Sequence, residues 1–303
     1  MRQDSLPRTA MLAIALAQGL CLLLLYRSEE SGFWPSGAPL WSVPLWTLTV
    51  AVPVLLLLSL TRGNAAALLR DIGGFAAILA LLALYTGWQA EPFDEFPIGR
   101  MIAIYTATLA IGSFKALMYL QQRASGEPLR YRQLFTYSWR NFLVGAFSGL
   151  FTLIFWLILL LWSRLFSVIG IDFFKDLFSE DWFFIPVSAV VFGLGISVFR
   201  QLTRVIDNIT SLLHGLIKLL LPLLLAVAVI FLSALPFTGL ELLWGTGTGT
   251  ALLLWLLALT LFFTNAVYQD GREADPYPRV LHRAIYAALC VMPVVSILSG
   301  YGL

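Results

Sequence analysis

The sequence predicts an all-α fold: a polytopic transmembrane helix bundle of about nine spans with interfacial amphipathic helices, forming one transmembrane helical domain over residues 1–303. Three observations carry that prediction. Hydrophobic residues make up 59% of the chain and charged residues only 12%, with a mean hydropathy of +0.86, whereas a soluble domain carries roughly 25% charge. The apolar residues come in continuous runs of bilayer-crossing length rather than in alternation, which favours helices over barrel strands because a helix satisfies its own backbone polar groups. The cations fall in alternate gaps between those runs.

Flanking charges bound the spans at about Thr9 to Tyr26, Trp41 to Leu60, Gly73 to Trp88, Ile98 to Leu120, Phe142 to Ser163, Phe184 to Leu202, Leu219 to Leu235, Thr250 to Tyr268 and Ala284 to Leu303. With the N-terminus on side one, that side holds 15 of the 19 Lys and Arg residues, from Arg2 and Arg8 to Arg279 and Arg283. The other side holds Arg27, Arg100, Arg164 and Lys175, and collects acids such as Glu29, Glu30, Asp94, Asp172 and Glu180. By the positive-inside rule the N-terminus is cytoplasmic and the Leu303 end lies outside. The net charge of +2 has no clustered basic face, so nucleic acid is not an expected partner.

The first span reads as an uncleaved signal anchor. Leu20 stands where a lipoprotein cleavage site needs a small residue, and Ala15-Leu16-Ala17 lies inside the apolar run rather than after it. Cys21 and Cys290 fall in different spans, so neither a disulfide framework nor a metal cluster is implied. Three connecting segments have amphipathic helical character. In Arg204 to Lys218, Val205, Ile206, Ile209, Leu212, Leu213, Leu216 and Ile217 oppose Arg204, Asp207, Asn208, Ser211, His214 and Lys218. Asp172 to Trp182 sets phenylalanines against acids, and Arg130 to Asn141 mixes arginines with Tyr131, Phe135, Tyr137 and Trp139 as an interfacial anchor would. They read first as connectors that fix helix ends.

Motifs that carry chemistry are scarce. His214 and His282 lack ligands at metal-binding spacing, so no metal site, cofactor or catalytic constellation is expected. The run Gly245-Thr246-Gly247-Thr248-Gly249-Thr250 lacks the Lys-Ser/Thr of a phosphate loop and reads as a turn ending in a Thr helix cap. Asn208-Ile209-Thr210 matches a glycosylation acceptor but sits on the cytoplasmic side. Gly145 and Gly149 form a GxxxG pair, expected to mark helix packing, with Gly193, Gly195 and Ser197 as further small residues. No Asp or Glu falls at mid-membrane in the expected spans, which argues against a proton pump built on buried carboxylates.

The final third is less generic. Leu235-Pro236-Phe237-Thr238-Gly239-Leu240-Glu241, together with Asn265-Ala266-Val267-Tyr268-Gln269-Asp270-Gly271 and Pro276-Tyr277-Pro278, resembles a family of bacterial multi-pass membrane proteins, domain of unknown function 4153. The resemblance implies a bacterial inner-membrane location without an assigned reaction or cofactor. Its members usually continue beyond the point where this chain stops, so it implies a short member or the front part of a longer architecture. From the residues themselves, Asn265 is expected as a buried amide near the cytoplasmic end, Tyr268 in the aromatic belt, and Asp270-Gly271 as the turn that closes the helix.

A candidate cytoplasmic surface therefore comprises Asn265, Tyr268, Gln269, Asp270, Arg204, Asp207 and His214. Three functions are carried forward. The first is an envelope scaffold or partner-binding membrane subunit, in contact with lipid and with a protein partner or a second copy. The second is a transporter or channel, motivated by Pro53, Pro222 and Pro293 within spans. The third is a lipid-modifying membrane enzyme, for which no nucleophile and base are found.

Overall fold

A computed structural model describes residues 7–90, 98–126, 128–238, 244, 248–268 and 276–301. Among them the fold is all-α, and nine helical segments are long and apolar enough to cross a membrane. The chain divides into two compact units, Met1–Ile206 and Asp207–Leu303.

Unit 1 contains α1 (Arg8–Ser31), α2 (Pro39–Ser59), α3 (Ala65–Ala90), α4 (Ile98–Ala124), α5 (Tyr131–Val168), the short α6 (Phe173–Ser179) and α7 (Asp181–Phe199). Helix α1 packs on α2 and α7, α7 on α5, α5 on α4, and α4 on α2, closing a circuit with α3 against α2 and α4. Local chemistry sets several ends. Gly32 caps α1 in the left-handed conformation at φ 65°, its N–H donating to the Ser28 carbonyl. Pro39 opens α2 at a position where its missing N–H costs nothing.

Helix α7 runs close to its neighbours because its residues are small. A Cβ built on Gly193 would sit 2.5 Å from the Cβ of Ala15 on α1, and one on Gly195 would sit 3.0 Å from the Cα of Ser148 on α5. Lipid tails are as apolar as the helices, so such backbone approach, rather than hydrophobic expulsion, provides much of the association. The GxxxG pair behaves differently. A Cβ on Gly145 or Gly149 meets nothing within 4 Å, so among the described residues of unit 1 the pair does not mark a close helix crossing. The expectation fails because packing depends on which face of α5 is turned inward, and that face carries Val144 and Ser148 instead.

Helix α8 (Thr203–Thr238) starts in unit 1 and continues through unit 2, which adds α9 (Gly249–Tyr268), α10 (Arg279–Leu289) and α11 (Val291–Tyr301). The amphipathic stretches at Arg130 to Asn141 and Arg204 to Lys218 are not separate connectors. Each is continuous with a spanning helix, within the 38 residues of α5 and the 36 of α8. At 1.5 Å per residue those helices reach roughly 57 and 54 Å, well beyond a hydrocarbon core of about 30 Å. The buried stripe of α8 runs through Ile206, Ile217, Leu221, Leu225 and Ala228, while Val205, Leu212 and Leu216 are exposed. The buried face is thus narrower than the apolar face of the sequence pattern.

The ninth span is two helices, α10 and α11, parted at Cys290 with Pro293 in the first turn of α11. Helix α9 begins at Gly249, so Thr248 rather than Thr250 precedes the first helical residue; 245–247 lie outside the described residues. On the other side of unit 1, α6 is fastened by rings. Phe174 lies 4.8 Å from Phe166 and 5.3 Å from Trp162 on α5, and Phe178 stacks 5.7 Å from Phe183 on α7.

Candidate functional site

The densest polar arrangement surrounds the C-terminus of α2. A helix leaves its last carbonyls without backbone donors, and in an apolar medium each such group costs several kcal/mol. Here three consecutive carbonyls are met by side chains from three different places. Arg200, just past α7, donates Nη1–H to the Leu57 carbonyl at 2.7 Å. Gln121 of α4 donates Nε2–H to the Leu58 carbonyl at 3.1 Å. Asn64, in the turn after α2, donates Nδ2–H to the Ser59 carbonyl at 3.1 Å while its Oδ1 accepts from the Thr61 N–H at 2.8 Å.

These groups are tied to further helices. Gln121 and the buried Asn141 of α5 form a reciprocal amide pair at 2.8 and 3.1 Å, which with the bond to Leu58 uses both donors of the Gln121 amide. Arg140 of α5 donates to the Arg200 carbonyl at 3.1 Å. Arg8 of α1 bonds Gln201, whose amide donates to the Ser197 carbonyl of α7 at 2.7 Å. Asp71 of α3, nearly enclosed, pairs with Arg123 of α4 at 3.1 Å and with its neighbour Arg70. Burial, and secondarily the like charge of Arg140, push the Arg200 guanidinium down to about 10. It remains a cation at neutral pH.

A second polar tie lies deeper in the unit. Pro53 has no N–H, so the carbonyl of Thr49 one turn earlier loses its helical donor. The buried Gln18 of α1 supplies one, its Nε2 standing 3.3 Å from the Thr49 carbonyl and 3.4 Å from that of Val50. Sequence reading missed Gln18, Asn64, Gln121, Asn141 and Arg200. The available signal was a proline inside a span together with amide side chains within spans or at their edges, because both imply displaced backbone partners.

The sequence-derived surface is placed only in part. Arg204 and Asp207 are exposed on the first turns of α8, and His214 is half-buried two turns further on. Asn265 is exposed on α9, which corrects the expectation of a buried amide: its neighbours Ala266 and Val267 take the inward positions. Gln269 and Asp270 lie outside the described residues. Tyr268 ends α9 with its ring 5.7 Å from His282 and 5.8 Å from Tyr286 of α10, and those two rings lie 4.6 Å apart. Nearby in sequence, the Tyr277 hydroxyl donates to the Lys218 carbonyl of α8 at 2.6 Å, and the Lys218 ammonium stands 5.8 Å from the Tyr277 ring centre. Burial, with a smaller contribution from Tyr268, pushes the Tyr277 hydroxyl up to about 12.

Among the described residues no group of three or more His, Cys, Asp or Glu is placed to hold a metal ion. The helices and their capped ends define a multi-pass integral membrane protein in contact with the lipid bilayer. Comparison with family models, curated proteins and solved structures returned no match.

Proposed function

We propose that this chain is a bacterial inner-membrane protein of the uncharacterised multi-pass family it resembles, domain of unknown function 4153, and that it serves as a scaffold or partner-binding membrane subunit of the envelope. The observation that carries this reading is the use made of polar side chains in unit 1. Gln18, Gln121, Asn141, Arg140 and Arg200 each bond a backbone carbonyl or one another, tying helices together within one compact unit. A solute pathway or proton relay needs polar groups that exchange partners as the solute passes. The N-terminus is assigned to the cytoplasm from the arginine bias, which puts Arg204 of unit 1 and Asp207, Asn265 and Tyr268 of unit 2 on the cytoplasmic side, where a partner would be met.

The test is purification from native membranes in mild detergent, followed by reconstitution. A stable partner, or a homo-oligomer, that dissociates on the charge reversals Arg204→Glu and Asp207→Arg supports the scaffold. A monodisperse monomer from native membranes, combined with proteoliposome flux that is lost on Asn265→Leu, would replace this reading with a transporter.

A further inference from the structure

At the arginine-rich end of unit 1 the guanidinium of Arg140 reaches the backbone of Arg200, and among the described residues no carboxylate pairs with either arginine. Arg140 on α5 and Arg200 at the end of α7 are both half-buried. The Nη2–H of Arg140 goes to the Arg200 carbonyl at 3.1 Å, and the Nη1–H of Arg200 goes to the Leu57 carbonyl at 2.7 Å. Among the described residues the ion pairs are Arg27 with Glu30, and Arg70 and Arg123 with Asp71; neither Arg140 nor Arg200 takes part. Arg8, bonded to Gln201, brings a third cation to the same end.

Two bland explanations fall short. Capping takes one N–H of each guanidinium, a small part of a fork that carries five donors. The negative ends of the α2 and α7 dipoles offset only about half a charge each, against two full charges. The mutual repulsion is felt at Arg200, where the Arg140 charge adds to burial in weakening the hold on its proton. A partly desolvated cation pair of this kind is stabilised by an anion with several acceptor oxygens. The planar arginine fork matches phosphate oxygens, and basic pockets between spanning helices near the interface bind phosphate-bearing head groups.

We propose that Arg140 and Arg200 together hold a phosphate, which in the membrane is the head group of an anionic phospholipid seated beside Arg140 of α5 and the C-terminal end of α7. The experiment is native mass spectrometry of the full chain released from mixed micelles, with phosphatidylglycerol and phosphatidylethanolamine as competing probes and inorganic phosphate as the soluble one. Wild type is expected to retain phosphatidylglycerol in preference by about tenfold, the scale of one charge-assisted hydrogen bond. Arg140→Gln is expected to abolish the preference, Arg140→Lys to keep part of it, and the exposed Arg62→Gln to leave it intact.

Displacement of the lipid by millimolar phosphate supports a site that reads the phosphate. Phosphate binding without any lipid preference assigns the same site to a free phosphate instead. Equal retention of both lipids by wild type with no phosphate effect, or undiminished retention by a folded Arg140→Gln, overturns the proposal. If Arg140→Gln does not fold, the wild-type lipid ratio and Arg140→Lys decide it.

Discussion

Gln18 shows how much a single side chain can do inside a membrane helix pair. Its amide replaces the donor that Pro53 withholds from the Thr49 carbonyl, so its value depends on that proline. Gln18→Leu is expected to cost about 1–2 kcal/mol in the wild-type background and close to nothing when Pro53→Ala restores the helical N–H. A double-mutant cycle of thermal unfolding in detergent measures the coupling, and equal costs in both backgrounds would contradict the assignment. Tyr277 yields a pH prediction. Its hydroxyl ionises at about 12 in the folded protein instead of 10.0, so the folded state holds the proton longer than the unfolded one. Its contribution is therefore complete below pH 10 and is lost as pH rises from there towards 12. Tyr277→Phe should remove that part of the alkaline loss, read as the difference between the two stability curves. At this scale the sequence was partly legible: Pro53 stood out, but nothing along the chain says that Gln18 faces it.

At the scale of elements, the circuit of helices in unit 1 depends on α7, whose small residues let α1 and α5 approach. Gly193→Leu should destabilise the bundle by more than about 2 kcal/mol through overpacking against Ala15. Gly145→Ala should cost no more than about 0.5 kcal/mol, since a Cβ there meets nothing within 4 Å. Thermal unfolding of the two variants side by side separates the working glycines from the GxxxG pattern. Sequence could not make that distinction, because a small-residue motif names a face of one helix without saying which face is buried. The amphipathic stretches were legible as helical, but their fusion with the following spans in α5 and α8 was not. Charges break a hydropathy run without breaking a helix, so a boundary drawn from flanking charges ends too early. The single turn at Cys290 is the reverse case, where an apolar run conceals an interruption.

For the whole molecule, orientation is the first property to test. Leu129 and Val168 are exposed at opposite ends of α5, so cysteines introduced there into a background without Cys21 and Cys290 report on opposite sides. A membrane-impermeant maleimide is expected to label Val168→Cys in intact cells whose surrounding membrane holds the protein, and Leu129→Cys only after permeabilisation. The reverse pattern would invert the topology drawn from the positive-inside rule.

The all-α class and the nine apolar segments were readable along the chain, because hydropathy and helix length act locally against a medium of fixed thickness; the charge bias adds an expected side for each loop. Tertiary structure decided which polar residues matter. The capping of Leu57, Leu58 and Ser59 by Arg200, Gln121 and Asn64, and the meeting of Arg140 with Arg200, join residues that are distant in sequence. A side chain whose partner is a displaced backbone carbonyl leaves no pattern of spacing, and only the packed bundle brings the two together.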